Sequence, residues 1–341
     1  MGAGHHHEID HVHTHNHGHD HAHDHSHAAK SSHSHGHGHS HGAGHHHHHH
    51  GPSDGPVFAI AVGLNSLFVV AETVAGVVGH STALLADAGH NFSDVLALLL
   101  AWGANRLAKR PPTARFTYGM KSASILAALA NASLLWLALG AILIETIRSF
   151  ATPQTVSAPM VMAVAAGGIA VNGLSALLFA RGSKDDINMR AAFQHLMADA
   201  VVSAGVVIAG AVVLFTGWNW IDPVTSLVIT ALIALSSWSL LRESVQFGLL
   251  GVPAGIEHDK VRSFLGQQPG VTAVHDLHIW PMSTTETALT AHVVMPDGHP
   301  GDAFLHHLAH EMKDDFGIGH ATFQIETESG HDCVLHPDAV I

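Results

Sequence analysis

The chain has 341 residues, of which 47% are hydrophobic and only 12% are charged, whereas an ordinary soluble domain has about 25% charged residues. This composition argues against a water-soluble globular protein, and the one cysteine, Cys333, excludes an internal disulfide bond. The formal net charge of -13 treats 37 histidines as neutral, and the scattered Lys and Arg residues form no basic stripe, so nucleic acid is a poor partner.

Residues 5–50 form a low-complexity tract in which histidine is mixed with Gly, Ser and Asp. Such a segment buries too little apolar surface to fold alone, so residues 1–55 are predicted to be a disordered, histidine-rich cytoplasmic tail. Its imidazoles are expected to bind Zn, Ni, Cu or Co weakly. The alternative, that residues 45–50 are a purification tag, is disfavoured by their position next to other histidine repeats. The H-E-I-D-H run at residues 7–11 follows from composition and is not taken as a zinc protease motif.

Six apolar segments follow, each near the ~20 residues that cross ~30 Å of hydrocarbon, and they define a transmembrane domain over residues 56–245. They are predicted at residues 57–79, 82–107, 121–147, 158–181, 188–216 and 220–242. Lys and Arg cluster in the loops after the second and fourth segments. By the positive-inside rule these loops and both termini face the cytoplasm. We therefore expect a multi-pass protein of the plasma membrane, which in a bacterium is the inner membrane.

Charged side chains interrupt the second and fifth apolar segments at helical spacing. Asp87, His90 and Asp94 fall at i, i+3 and i+7, so they project from one helix face. His195 and Asp199 lie one turn apart on the fifth segment. Each charge at membrane depth costs about 2.5–3.5 kcal/mol, which disfavours a purely structural role. Two helices thus offer imidazole and carboxylate ligands of the kind that a tetrahedral Zn²⁺ takes.

Two further acidic residues lie in the apolar segments and are less specific signals. Glu72 on the first segment is either a helix contact or a residue of an ion pathway. Asp222 precedes Pro223 at the start of the sixth segment, and this pair predicts an N-cap followed by a proline in the first helical turn.

After Arg242 the pattern becomes that of a water-soluble α+β domain, assigned to residues 246–328 and followed by a tail at 329–341. We predict helices at 257–268 and 302–316, and strands at 271–280, 287–295 and 321–327. The resulting order is αββαβ. A domain of about 80 residues lies near the lower limit of independent stability, so pairing with a second copy is expected.

Three separately placed motifs resemble the cation diffusion facilitator family. They are E-T-V-A-G-V-V-G-H-S-T-A-L-L-A-D-A-G-H-N-F-S-D at residues 72–94, H-L-M-A-D at 195–199 and H-D-L-H-I-W at 275–280. The resemblance covers about residues 57–328. It implies a homodimeric six-helix exporter of divalent metal, driven by inward proton movement, with a ferredoxin-like, metallochaperone-like cytoplasmic domain.

The chain is similar in particular to the zinc-transporting branch of that family, which has two histidines and two aspartates in its transport site. By this comparison the transport site comprises His90, Asp94, His195 and Asp199, and Asp87 and Glu72 are supporting residues of the pathway. The loop R-P-P-T-A-R-F-T-Y-G at residues 110–119 has no histidine or aspartate, so the extra loop metal site of some bacterial members is absent. Ser122 and Ser124 stand where many relatives place a basic and an acidic residue, so coupling there is expected to differ.

The resemblance also implies a regulatory zinc site in the cytoplasmic domain. The matching residues are His275, His292, His320 and Glu326, sometimes joined by C-terminal ligands at positions like Cys333 and His336. Gln324 replaces a ligand histidine of other members, which argues against a two-metal centre. Taken alone, His275 and His292 are equally consistent with half-exposed strand residues. His278, three positions after His275, is predicted to face the other side of its strand.

The predicted function is export of a divalent cation in exchange for protons by a protein that is not an enzyme and has no cofactor. Zn²⁺ is the expected ion, with Co²⁺, Cd²⁺ and Ni²⁺ as alternatives because they accept similar ligands. A membrane-anchored metal sensor or store is the alternative function, but it would not need ionisable ligands on two facing helices. A membrane zinc hydrolase would need an open metal position and a general base, whereas four protein ligands close the site.

Overall fold

The computed structural model describes residues 56–152, 154–180 and 187–327. The two predicted tails, with Cys333 and His336, lie outside these residues. The described chain forms α1 Pro56–Val78, α2 Thr82–Ala108, α3 Ala123–Ala151, α4 Ala158–Ala180, α5 Ile187–Thr216, α6 Ile221–Gly248, α7 His258–Gly266, β1 Ala273–Pro281, β2 Thr287–Val294, α8 Asp302–Phe316 and β3 His320–Glu326.

The first six helices form the membrane-spanning half of the molecule. Among the described residues, the five helices α2 to α6 are long and apolar enough to cross a membrane. Helix α1 runs for 23 residues, enough to cover ~30 Å of hydrocarbon at 1.5 Å per residue. The predicted architecture, six apolar helices followed by a small αββαβ domain, is confirmed. Helix α6 differs from the prediction because it continues past Arg242 to Gly248: the charge ends the apolar stretch but not the helix.

The bundle exposes many large apolar side chains on its outer surface and buries carboxylates in its interior. Leu67, Leu137 and Leu235 are well exposed on its outer surface, whereas Glu72 and Asp87 are fully buried. This distribution suits a lipid environment, because hydrocarbon solvates leucine and excludes carboxylates.

The N-terminus of α2 is capped by Asp222, which lies in the first turn of α6. The Asp222 carboxylate accepts hydrogen bonds from the Ser81 hydroxyl at 2.5 Å and from the backbone N–H groups of Thr82 at 2.6 Å and Ala83 at 3.4 Å. The prediction that Asp222 caps its own helix is wrong, since Trp220 occupies the cap position of α6. Instead, one carboxylate satisfies the unpaired amides of a neighbouring helix and ties the two helix ends together.

Replacing Asp222 by Ala is expected to lower the free energy of unfolding by about 1–3 kcal/mol, because buried donors at the start of α2 lose a charged acceptor. Thermal unfolding of the purified protein in detergent measures this effect. Asp259→Ala is the matched control, since that side chain is fully exposed. A decrease in melting temperature no larger than that of the control would contradict the proposed cap.

The C-terminal domain is a three-stranded sheet of order β1-β2-β3 with both helices packed on one face. Strands β1 and β2 are antiparallel, and β2 and β3 are parallel. The core between sheet and helices is built from aliphatic side chains, among them Val261, Leu265, Leu289, Leu308 and Met312. The opposite sheet face carries the histidines.

Strand β1 contains a bulge between His275 and His278. His275 pairs with His292, and His278 pairs with Thr290. Since Thr290 and His292 are two positions apart on β2, they share a sheet face, and so do their partners. The prediction that His278 faces away from His275 is therefore wrong, because the bulge adds one residue to the alternation.

The loop between β1 and β2 touches the beginning of α3. Lys121 forms a salt bridge with Glu286, the Thr284 backbone N–H donates to the Ser124 hydroxyl at 3.1 Å, and the Ser122 hydroxyl donates to a backbone carbonyl of the hairpin at 3.2 Å. Ser122 and Ser124 thus join the membrane bundle to the C-terminal domain.

Candidate metal centres

His90, Asp94, His195 and Asp199 converge inside the bundle, between α2 and α5; these four residues are called the membrane site below. His90 Nε2 lies 3.3 Å from Asp199 Oδ1 and 3.8 Å from Asp94 Oδ2. His195 Nε2 lies 3.4 Å from Asp94 Oδ2 and 3.6 Å from Asp199 Oδ2. Each imidazole is therefore placed between both carboxylates.

Three of the four residues, His90, His195 and Asp199, each offer a ligand atom within 4.8 Å of the others, and Asp94 Oδ2 lies 3.8 Å and 3.4 Å from the two imidazoles. Ligand atoms at 2.0–2.1 Å from Zn²⁺ lie about 3.3–3.4 Å apart on a tetrahedron. The nitrogen–oxygen distances of 3.3 to 3.8 Å exceed this by a few tenths of an ångström at most. The two imidazole rings are nearly perpendicular, at 82° with centroids 5.9 Å apart, so they do not stack and both can turn an edge toward one point.

The four ligands differ in exposure. The side chains of Asp94 and His195 are 34% and 31% exposed, whereas those of Asp199 and His90 are 6% and 18% exposed. Along α2, Asp94 lies one turn closer than His90 to the end that carries Arg106, and along α5, His195 lies one turn closer than Asp199 to the beginning of the helix. On each of the two helices, the more exposed ligand is thus the one nearer the helix end that adjoins a basic loop.

A second layer of buried polar groups lies next to the membrane site. Asn91, the neighbour of His90, donates from Nδ2 to Glu72 Oε2 at 2.9 Å. Ser203 donates from Oγ to Asp87 Oδ2, also at 2.9 Å. Asp87 and Glu72 are thus not among the converging ligands but lie one layer away, on the less accessible side.

In the C-terminal domain, three side chains from three strands come together: His275, His292 and Glu326, called the C-terminal cluster below. Their ligand atoms lie within 4.8 Å of one another. Glu326 Oε1 is 2.8 Å from His292 Nδ1, and Glu326 Oε2 is 3.4 Å from His275 Nε2. Both histidines are buried, so the view of them as half-exposed strand residues is wrong.

His320, the fourth residue predicted for this site, is not brought into the C-terminal cluster. The parallel register pairs His320 with Ala288 at the start of β3. At about 3.3 Å per strand residue, this position lies roughly 20 Å from Glu326. The His320 ring instead contacts the ring of Tyr118, edge-on with centroids 5.7 Å apart.

The sequence reasoning missed one residue beside the C-terminal cluster, Asp276. Its carboxylate lies 3.5 Å from His292 Nε2 through Oδ2 and 2.8 Å from His278 Nε2 through Oδ1. The available signal was weak: among residues other than glycine, Asp and Asn are those that most readily adopt a left-handed backbone, and Asp276 has φ 49°.

A membrane bundle that holds buried imidazoles and carboxylates across two helices, joined to a domain with a second ligand cluster, is that of a metal-ion transport protein. Residues 58–247 match the family model of the cation efflux transmembrane domain, and residues 253–328 match that of the cation efflux protein cytoplasmic domain. The chain belongs to the cation efflux family. The resemblance to cation diffusion facilitators seen in the motifs is confirmed.

Similar proteins cover most of the chain. The zinc transporter ZitB of Escherichia coli (strain K12) is 37% identical over 280 residues, which are 81% of this chain and 89% of that protein. The cadmium, cobalt and zinc/H(+)-K(+) antiporter of Bacillus velezensis is 32% identical over 83% of this chain and 92% of its own. The metal-bound C-terminal domain of the CzcD transporter of Cupriavidus metallidurans is 35% identical, with a TM-score of 0.20, over 21% of this chain and 99% of that structure.

Proposed function

We propose that the chain exports divalent metal cations, Zn²⁺ foremost, from the cytoplasm in exchange for protons, and that the ion passes through the membrane site. The observation that carries this proposal is the convergence of two imidazoles and two carboxylates at 3.3 to 3.8 Å inside the bundle. The names of the relatives, a zinc transporter and a cadmium, cobalt and zinc antiporter, support the ion class. Co²⁺ and Cd²⁺ are expected to compete with Zn²⁺, because they accept similar ligands.

The exposure of the ligands supports loading from the cytoplasm. Asp94 and His195, the two more exposed ligands, lie closer than His90 and Asp199 to the helix ends with basic loops, which the positive-inside rule assigns to the cytoplasm. We therefore infer an inward-open state of a protein in the plasma membrane, with both termini in the cytoplasm. The histidine-rich tail would then raise the local metal concentration at the entrance.

The packing of the helices gives a route to release. Helices α4 and α5 pack extensively on each other, and α2 packs on α1, α3 and α6, whereas α2 and α5 touch little. The membrane site lies on that seam, with one imidazole and one carboxylate on each side. Relative movement of the α4–α5 pair would therefore separate the two ligand pairs and open the outer side, where Asp87 and Glu72 would line the exit.

Proton exchange follows from the ligand chemistry. Imidazole and carboxylate bind a proton through the same lone pairs that bind the metal, so the two ions compete. A free imidazole titrates near pH 6.5, so moderate acidity on the outer side favours the protonated ligand. Protons that enter from outside would displace the metal and return inward on the empty ligands. This accounts for export against a metal gradient without an enzymatic reaction or a bound cofactor.

The C-terminal cluster is proposed as a cytoplasmic regulatory metal site. His275, His292 and Glu326 supply two nitrogens and one carboxylate, a ligand set that suits Zn²⁺ with a fourth position left for water or another ligand. The match of residues 253–328 to the cytoplasmic domain of cation efflux proteins and the small size of the domain support a homodimer.

The proposal is tested by zinc flux into sealed proteoliposomes that contain the purified protein. Uptake by inside-out molecules is expected when the lumen is acidic, and it should cease when a protonophore collapses the pH gradient. Liposomes without protein give the leak rate. Protein that retains bound zinc but gives no gradient-dependent uptake would support the sensor or storage function instead.

A further inference from the structure

His292 of the C-terminal cluster has a carboxylate at each ring nitrogen. Its Nδ1 is 2.8 Å from Glu326 Oε1, and its Nε2 is 3.5 Å from Asp276 Oδ2. The other oxygen of Asp276, Oδ1, lies 2.8 Å from His278 Nε2. A continuous polar chain therefore runs from the partly exposed His278 through Asp276 to the side of His292 that faces away from Glu326.

The bulge in β1 places the Asp276 carboxylate on the same side of the sheet as the histidines. In a regular strand Asp276 would share a face with Val274, which is buried in the apolar core against the helices. The left-handed backbone of Asp276 (φ 49°) breaks that alternation, and the extra residue puts His275 and His278 on one face. The carboxylate thereby reaches the histidine side of the sheet, where it is 14% exposed.

The chemistry of a metal-bound imidazole requires a group in this place. If Nδ1 of His292 binds an ion shared with Glu326, the ring proton must be on Nε2. A carboxylate that accepts this proton fixes the tautomer and the ring orientation and makes the ligating nitrogen more basic. Asp276 is suitably placed to accept it, and His278 holds the other carboxylate oxygen.

We propose that Asp276 is the positioning residue of the C-terminal cluster: it holds the Nε2–H of His292 so that Nδ1 faces the metal, while His278 orients the Asp276 carboxylate. The inference rests on the proposed cytoplasmic metal site. It assigns a role to the bulge, which replaces a regular strand by a conformation that most residues avoid.

The test measures zinc binding by full-length protein. All variants, and the parent with which they are compared, carry Asp199→Ala, which removes a ligand of the membrane site. Zinc affinity is measured by competition with a chelator at free zinc concentrations that leave the weak sites of the histidine-rich tail empty. Asp276→Asn is the informative variant, since Asn also tolerates a left-handed backbone. We expect its zinc affinity to fall about 10- to 100-fold, with unchanged stoichiometry at saturation and an altered visible absorption spectrum of bound Co²⁺.

Two control variants distinguish a failure of the positioning role of Asp276 from a failure of the metal site itself. Asp297→Asn, at an exposed turn position, should leave affinity and spectrum unchanged, and His275→Ala should remove the ion. If Asp276→Asn binds zinc as the parent does while His275→Ala does not, the positioning role is overturned and the site stands. If His275→Ala also binds as the parent does, the metal site itself fails.

A second variant covers the case in which Asp276→Asn does not fold. His278→Gln changes a partly exposed strand position, so its fold should persist. We expect a weaker loss of zinc affinity, by about three- to tenfold, since His278 is one hydrogen bond further from the metal ligand. An affinity equal to that of the parent would overturn the role of the His278–Asp276 chain.

Discussion

Replacing Asp199 by Asn abolishes zinc uptake into proteoliposomes, if the membrane site carries the ion. Asp199 is the most buried of the four ligands and contacts both His90 and His195. The amide keeps the size of the side chain but removes the negative charge that a divalent ion needs at this depth. Removing a residue that only hydrogen-bonds to a metal ligand lowers affinity or activity about 10- to 100-fold. Removing a ligand itself should reduce the zinc flux by more than that.

The measurement is the initial rate of zinc uptake at equal amounts of reconstituted protein and equal pH gradient. Asp297→Asn makes the same chemical change at an exposed turn and should transport like the parent protein. Uptake by Asp199→Asn at the parent rate would rule out transport through this site, whereas a loss in both variants would indicate a reconstitution problem and require a second control.

Gly168→Val is expected to reduce zinc flux about tenfold and to lower the melting temperature. A Cβ atom at Gly168 on α4 would lie 2.9 Å from the Phe68 ring and 2.9 Å from the Ser203 hydroxyl. The glycine therefore allows the close approach that leaves Ser203 free to donate to Asp87. Overpacking of this kind costs roughly 1–3 kcal/mol, and it displaces a polar contact beside the membrane site.

Gly173→Val is the matched control on the same helix, because a Cβ there meets no described heavy atom within 4 Å. Both variants add the same side chain to α4, so a difference between them reflects packing and not helix propensity. Equal flux and equal melting temperatures in the two variants would show that the contact at Gly168 does not position Ser203.

Much of the membrane site could be predicted because helical spacing is a local property. The positions i, i+3 and i+7 placed Asp87, His90 and Asp94 on one face. Spacing alone could not decide which of the two aspartates is a ligand, because that depends on the partner helix. The structure separates them: Asp94 contacts His195, whereas Asp87 receives a hydrogen bond from Ser203.

The errors arise where a tertiary contact overrides a local pattern. The Asp222–Pro223 pair has the sequence of a helix cap, but the carboxylate caps α2 because the two helix ends meet. The alternation of side chains along β1 predicted the wrong face for His278, because the left-handed residue Asp276 lies in a bulge that adds one residue to the strand. The position of His320 depends on the register between the parallel strands β2 and β3. The sequence of one strand alone does not determine its register with a strand that is distant in the chain.

The contact between the two halves of the molecule includes Tyr118, which is the only tyrosine in the chain. Its ring meets His320 edge-on, at the start of the strand that ends with Glu326. Biosynthetic incorporation of fluorotyrosine would therefore give one fluorine NMR resonance, located where the membrane bundle and the C-terminal domain touch. The native sequence thus contains a single-site spectroscopic reporter of whether the two halves move apart when zinc binds, without any introduced mutation.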